Sequence, residues 1–145
     1  MIGVILSGHG GFASGISQAL TQVIGEQPQF VAIDFPEAMT TAQLDNAMRQ
    51  AIDHVDGGEG IVFLTDLLGG TPFRTASLLS QQIDNIEVVT GTNLQMAAEM
   101  LLEREGLSLI EFRQEALQCG HRGITSLFDQ MEEKQREEIT ADDGI

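Results

Sequence analysis

The sequence is poor in positive charge. Among its 145 residues, 7 are lysine or arginine and 22 are aspartate or glutamate, which gives a formal net charge of -15 at pH 7. Nucleic-acid binding requires a basic surface that neutralises phosphates, so this composition excludes it. An acidic surface would favour a basic protein partner, although solubility alone also explains the charge.

Cysteine and long apolar runs are scarce as well. The single cysteine, Cys119, excludes an internal disulfide and fits a reducing compartment. The longest apolar runs, such as Gly60–Leu64, are far too short to span a bilayer. No secretory signal precedes the first predicted strand, so we expect a cytoplasmic protein.

What the sequence does contain indicates one globular domain. Hydrophobic residues make up 42% of the chain and charged residues 20%, as in ordinary soluble domains. We place this domain at residues 1–128. Residues 129–145 form an acidic C-terminal extension, in which seven acidic residues accompany two basic ones.

The apolar pattern alternates between short buried runs and helical stripes. Each of four predicted strands is followed by a helix, and a last strand is expected near Ile124–Phe128; the four strands are Ile2–Ser7, Phe30–Phe35, Gly60–Thr65 and Ile86–Thr90. Four β-α units predict an α/β fold with a doubly wound, mostly parallel sheet in the order 2-1-3-4 and helices on both faces. Ligands bind such sheets at the carboxyl ends of the strands, here the first and the third.

Three polar features follow those two strands. His9 comes after the first strand, within Gly8-His9-Gly10-Gly11, where glycines offer little apolar surface against which an imidazole could pack. Asp66 ends the third strand. The turn Gly69-Gly70-Thr71-Pro72 opens the next helix, with Thr71 expected as its N-cap and Pro72 as its first helical residue. Taken singly, Asp66 or this turn could be ordinary turn chemistry.

Together these residues suit phosphorylation of a histidine. A carboxylate that accepts one ring N–H fixes the tautomer, leaves the other nitrogen as the nucleophile and stabilises the cationic product. We therefore predict His9 and Asp66 as catalytic residues. Glycine and helix-end amides, with a nearby hydroxyl, can hold phosphoryl oxygens. The predicted phosphate-binding residues are Gly10, Gly11, Gly70 and Thr71.

Other interpretations fit parts of the same sequence. Gly8-x-Gly10-x-x-Ala13, with Asp34 at the end of the next strand, loosely fits a dinucleotide fingerprint, so a dinucleotide-binding regulatory module stays open. A P-loop kinase is excluded because no Gly-x-x-x-x-Gly-Lys-Ser/Thr element exists. No histidine or cysteine pair has metal-ligand spacing, so we expect neither a metal nor another cofactor. Arg74 could contact phosphate or an acidic partner, or simply offset surface acidity.

Two motifs together resemble a known family. The chain resembles the IIA components of the mannose family of the bacterial phosphoenolpyruvate-dependent sugar phosphotransferase system. The resemblance lies in the motifs Gly8-His9-Gly10-Gly11-Phe12-Ala13-x-Gly15 and Val62-Phe63-Leu64-Thr65-Asp66-Leu67-Leu68-Gly69-Gly70-Thr71-Pro72-Phe73. The similarity extends to about Phe128 and includes Gly91-Thr92-Asn93-Leu94. The acidic extension lies outside it.

The resemblance implies a homodimeric cytoplasmic phosphocarrier. It implies that the histidine phosphocarrier protein HPr phosphorylates His9 on Nε2, that Asp66 orients the ring, and that Thr71 lies near the phosphate. A IIB component would accept the phosphoryl group, and permease subunits, the chain's only link to the membrane, would use it to phosphorylate the incoming sugar. The resemblance also implies that Ile124–Phe128 forms an antiparallel edge strand that can cross to the partner subunit.

The sugar and the subfamily stay open at this point. The mannose transporter's own component has tryptophans near both motifs, and this chain has none. Its pattern is nearer to transporters for amino sugars such as N-acetylgalactosamine, or for gluconate. Phosphocarrier subunits of dihydroxyacetone kinase systems are the alternative; they share an early loop histidine but lack the Gly-Gly-Thr-Pro turn found here at residues 69–72.

Overall fold

Strands and helices alternate along most of the chain in a computed structural model that describes residues 1–143. The strands are β1 (Gly3–His9), β2 (Phe30–Phe35), β3 (Ile61–Thr65) and β4 (Ile86–Val89). The helices are α1 (Phe12–Ile24), α2 (Thr41–Val55), α3 (Thr71–Gln82), α4 (Leu94–Glu103), α5 (Leu109–Arg122) and α6 (Leu127–Asp143). The four predicted β-α strands are therefore confirmed, with ends displaced by at most two residues.

The sheet has the order β2-β1-β3-β4, and every neighbouring pair is parallel. This confirms the predicted strand order. Strand β1 lies between β2 and β3, in a register that pairs His9 with Phe35 and Ser7 with Thr65. The carboxyl ends of these three strands consequently share one edge of the sheet.

Helices cover both faces of the sheet, as predicted. Successive side chains of a strand point to opposite faces. Val4 and Leu6 of β1 accordingly belong to a core shared with α1, α4 and α5, whereas Ile5 belongs to a core shared with α2 and α3. Because β1 is buried on both faces, its last residue is held in a rigid frame.

The start of α3 differs from the prediction by one residue. Gly70 rather than Thr71 is the N-cap, and Pro72 is the second helical residue. The Gly70 carbonyl accepts the Arg74 amide at 2.9 Å, which closes the first turn without help from a side chain. The Thr71 hydroxyl is therefore not used as a cap.

The antiparallel edge strand predicted at Ile124–Phe128 does not form in the described residues. The chain is irregular until α6 begins at Leu127. The physical reason is helix capping at Ser126, whose Oγ accepts the Asp129 amide at 3.1 Å and whose carbonyl accepts the Gln130 amide at 3.0 Å. This local signal outweighs the short apolar run.

Helix α6 is exposed along its described side chains rather than packed into the core. Every residue from Ile124 to Thr140 is exposed, so this part of the helix makes no core contact. The predicted extension at residues 129–145 coincides with most of α6, although residues 144 and 145 lie outside the described part. Within residues 1–143, no helix combines the length and apolarity needed to cross a membrane.

Candidate active site

His9 is the last residue of β1 and lies at the middle of the sheet edge. Its side chain is 44% exposed, and the Phe35 ring meets the imidazole edge-on, with ring centroids 6.0 Å apart and planes at 73°. The chain then turns through Gly10, whose φ of 55° favours glycine. The Gly10 amide donates to the Phe35 carbonyl at 2.8 Å, which ties the loop to β2.

Asp66, the residue after β3, is bonded to His9 twice through one oxygen. Its Oδ2 accepts the backbone amide of His9 at 2.9 Å and lies 2.9 Å from the ring Nδ1. An ionised carboxylate only accepts hydrogen bonds, so the proton of the neutral ring belongs on Nδ1. The lone pair of the neutral ring is then on Nε2. The two predicted catalytic residues are thus brought together.

The charge of Asp66 is maintained by the same contacts. Burial acts to raise the pKa of this carboxyl, whose side chain is 14% exposed. The hydrogen bonds from the His9 amide and ring, together with the positive charge of the protonated ring, outweigh burial and hold the Asp66 pKa below its usual value. The carboxylate is therefore ionised at neutral pH, as an orienting group must be.

Gly70 lies against the Cε1 and Nε2 atoms of the His9 ring. A Cβ at Gly70 would stand 2.6 Å from the ring Cε1 and 3.3 Å from Nε2. The backbone φ of Gly70 is -71°, which any residue tolerates, so the glycine is needed for the close approach of the ring. The N-terminus of α3 is consequently next to the free nitrogen of the imidazole.

The four predicted phosphate-binding residues differ in which groups they leave available. The Gly10 amide already donates to the Phe35 carbonyl, and the Gly70 amide donates to the Leu67 carbonyl at 3.1 Å, so neither is free. Space beside Gly10 is open, with no atom within 4 Å of where a Cβ would be. Gly11 caps α1 and Thr71 begins α3, so the amides at these two helix ends lack an intrahelical acceptor.

The N-terminus of α1 is partly closed by a carboxylate. Asp34, near the end of β2, accepts the Ser14 amide through Oδ1 at 2.9 Å. In the dinucleotide-binding alternative this helix end would have to hold a pyrophosphate through its free amides, but the Ser14 amide is already taken by Asp34. The N-terminus of α3 has no such carboxylate bonded to it among the described residues, and it is the one beside His9.

Two exposed leucines border the site. Leu67 and Leu68 precede the Gly69-Gly70 turn and are 59% and 74% exposed. The remaining histidines, His54 and His121, are exposed near the C-termini of α2 and α5 and have no hydrogen bond to Asp66. Residues 1–143 contain no group of three or more histidine, cysteine, aspartate or glutamate side chains that could hold a metal ion.

Sequence reasoning missed the part played by β2. Neither the Phe35 ring against the imidazole nor the Phe35 carbonyl bonded to Gly10 was predicted. The parallel pairing of β1 and β2 could have predicted both contacts, because it places Phe35, the last residue of β2, beside His9, the last residue of β1.

As a whole, the site presents a half-exposed nitrogen nucleophile. One ring nitrogen is bonded to a buried carboxylate, while the other lies beside a helix N-terminus that favours negative charge. This arrangement can accept a small anionic electrophile from a partner that docks at the sheet edge.

Comparisons of sequence place the chain among phosphotransferase components. The family model EIIA-man, described as PTS system fructose IIA component, matches residues 3–117. The Escherichia coli (strain K12) protein YadI, named for a phosphotransferase enzyme IIA component, is 33% identical over 132 residues, which are 91% of this chain and 90% of that protein. The PTS system fructose-specific EIIA component of Bacillus subtilis (strain 168) is 30% identical over 109 residues, 75% of each chain.

A solved structure agrees with these relatives. The crystal structure of phosphotransferase system component EIIA from Streptococcus agalactiae matches with a TM-score of 0.83 at 32% sequence identity, covering 89% of this chain and 99% of that chain. The family model spans most of the described domain, including both His9 and Asp66. The chain therefore belongs to the family of EIIA components of the phosphotransferase system.

Proposed function

We propose that this chain is a histidine phosphocarrier that accepts a phosphoryl group on His9 Nε2 and passes it on for sugar uptake. The observation that supports this proposal most strongly is the pair of 2.9 Å contacts from Asp66 Oδ2 to the amide and the ring of His9. They leave Nε2 as the free nitrogen beside Gly70. Membership of the EIIA family supports the same chemistry.

The transfer step requires only positioning and electrostatics. The Nε2 lone pair of neutral His9 attacks the phosphorus atom of a phosphorylated donor imidazole. The new P–N bond forms as the donor's P–N bond breaks, and that electron pair returns to the donor ring. The proton on Nδ1 stays on His9, so the product ring is cationic, and Asp66 stabilises it through the existing hydrogen bond.

The phosphoryl oxygens would be held by the loop and the helix end around Nε2. In this proposal Gly11 and Thr71 provide the amide donors, and the Thr71 hydroxyl, which does not cap α3, adds another. Gly10 and Gly70 contribute mainly through their missing side chains, which leave room beside the loop and for the ring. Neither a metal nor a nucleotide is part of this mechanism.

We further propose the partners of this family's reaction. HPr would be the phosphoryl donor and a IIB component the acceptor, both docking over the exposed Leu67 and Leu68 beside the site. The net charge of -15 favours partners with basic surfaces. We expect a homodimer in the cytoplasm that meets the membrane through the permease subunits, and sedimentation velocity tests the dimer.

The experiment is phosphorylation from phosphoenolpyruvate through enzyme I and HPr, followed by intact mass spectrometry. The wild-type chain should gain one phosphoryl group, and His9→Ala should gain none. His54→Ala and His121→Ala serve as matched controls, since both residues are exposed, and they should be phosphorylated like the wild type. Undiminished labelling of His9→Ala would reject the proposal.

A further inference from the structure

Arg74 differs from the other arginines of the domain in having no partner. Three of them pair with carboxylates: Arg49 with Asp45 at 2.7 Å, Arg113 with Glu87 at 3.3 Å and Arg122 with Glu99 at 2.8 Å. Arg104 is buried and donates to the carbonyls of Ile2, Pro28 and Gln29. Arg74 is exposed, and within residues 1–143 its guanidinium has no ion pair or hydrogen bond. In so acidic a chain, an unpaired cation is unexpected.

Arg74 lies one turn into α3, the helix whose N-terminus borders His9. Its amide donates to the Gly70 carbonyl at 2.9 Å, so it lies one turn after the N-cap. Side chains in an α-helix lean toward the N-terminus and cover the preceding turn. For Arg74 that turn is Gly70 and Thr71, and a Cβ on Gly70 would be 3.3 Å from His9 Nε2.

The charge balance of the site calls for such a cation. A phosphoryl group brings about -1.5 to -2 charges near pH 7. It would arrive beside the Asp66 carboxylate on a chain whose net charge is already -15. The helix N-terminus offers only about half a positive charge, and the single lysine, Lys134, belongs to α6. A guanidinium can bind two phosphoryl oxygens at once.

We propose that Arg74 is a phosphoryl-binding residue whose guanidinium reaches over Thr71 to the oxygens of the phosphoryl group on His9 Nε2. This inference rests on the proposed function. Arg74 holds the transferring group while the donor's P–N bond breaks and the bond to Nε2 forms. It remains protonated throughout and exchanges no proton with the reactants.

The test compares Arg74→Gln and Arg74→Lys with the wild type. Arg49→Gln is the matched control, because Arg49 is also an exposed helical arginine but lies in α2 and pairs with Asp45. We expect Arg74→Gln to slow phosphoryl transfer from phospho-HPr roughly 10- to 100-fold, the range for losing a charge-assisted hydrogen bond. Arg74→Lys should recover part of the rate, and Arg49→Gln should match the wild type.

A second readout separates phosphoryl binding from docking. A nearby cation favours the doubly ionised phosphoryl group, so its pKa, followed by ³¹P NMR on the phosphorylated chain, should be higher in Arg74→Gln than in the wild type. A slower rate with an unchanged ³¹P titration would mean that Arg74 contacts the donor protein, and this would overturn the inference. Wild-type behaviour of Arg74→Gln in both readouts would overturn it too, while leaving the proposed function intact. A wild-type chain that takes no phosphoryl group on His9 would instead defeat the proposed function itself.

Discussion

Asp66 Oδ2 bonds to both the backbone amide and the ring Nδ1 of His9, each at 2.9 Å. Because the same oxygen binds the main chain and the side chain of one residue, it fixes the imidazole relative to the end of β1. The ring cannot turn over without losing the bond to Nδ1. The tautomer and the direction of Nε2 thus follow from one carboxylate oxygen.

Replacing Asp66 by asparagine should slow phosphoryl acceptance without unfolding the protein. The variant keeps the shape of the side chain but loses the negative charge that, in the proposed function, orients the ring and stabilises the cationic product. Charge-assisted hydrogen bonds contribute about 1.5–3 kcal/mol, so the rate should fall roughly 10- to 100-fold. Quench-flow labelling from phospho-HPr measures this rate, and circular dichroism checks the fold.

Asp34→Asn is the matched control for that variant. Asp34 also accepts a backbone amide, that of Ser14, but it has no hydrogen bond to His9. Its replacement should affect the stability of α1 while transfer remains close to the wild-type rate. Equal losses of rate in Asp34→Asn and Asp66→Asn would show that the carboxylate beside His9 has no special role.

The lowered pKa of Asp66 makes stability depend on pH. A carboxyl that is more acidic in the folded state stabilises the fold above its usual pKa of 3.8, and this contribution disappears as the pH falls through the lowered value. The difference in unfolding free energy between wild type and Asp66→Asn should therefore be largest above about pH 4 and shrink below it. Urea unfolding from pH 2.5 to 6 measures this difference in free energy. A difference that grew toward low pH would contradict the lowered pKa of Asp66.

Replacing Gly70 by alanine should displace the His9 ring. The new Cβ would be 2.6 Å from Cε1, and the exposed imidazole would have to move away from the N-terminus of α3. Small misplacements of reacting groups cost up to about 100-fold in rate, so we expect a loss of roughly 10- to 100-fold. Because φ is -71°, stability should fall by about 1 kcal/mol or less.

Gly15→Ala is the control for the alanine substitution. Gly15 is inside α1, and nothing lies within 4 Å of its added Cβ. Its replacement should raise the unfolding free energy by about 0.5–1 kcal/mol and leave transfer unchanged. A Gly70→Ala variant that transferred phosphate as fast as Gly15→Ala would contradict the close-approach argument.

Deleting residues 129–145 should leave both folding and phosphoryl acceptance unchanged. The described side chains from 129 to 140 are all exposed, so removing them uncovers no core. The melting temperature and the rate of labelling from phospho-HPr, each compared with the full chain, test this boundary. A marked drop in either quantity would move these residues into the functional domain.

The fold followed from the sequence because its apolar pattern is locally consistent. The strand order and the meeting of His9 with Asp66 were predictable, since β-α units impose parallel strands whose carboxyl ends share an edge. The pair of hydrogen bonds from His9 to one Asp66 oxygen was not predictable, because the second partner of a carboxylate depends on distances that sequence spacing does not encode.

The edge strand predicted at Ile124–Phe128 was wrong because the same residues favour both a strand and the start of a helix. Ile124–Phe128 is short, and its apolar residues favour a strand, whereas Ser126 followed by acidic residues favours a helix start. The cap prevails in the described chain. At α3, similarly, the Gly70 carbonyl already closes the first turn, so Thr71 is displaced from the capping position.

¹⁵N NMR of the His9 ring, before and after phosphorylation by phospho-HPr, tests most directly which ring nitrogen carries the proton and which the phosphoryl group. We expect a proton on Nδ1 in the free neutral form and the phosphoryl group on Nε2 in the product, with His54 and His121 unmodified. A phosphoryl group on Nδ1, or on a histidine other than His9, would contradict this expectation.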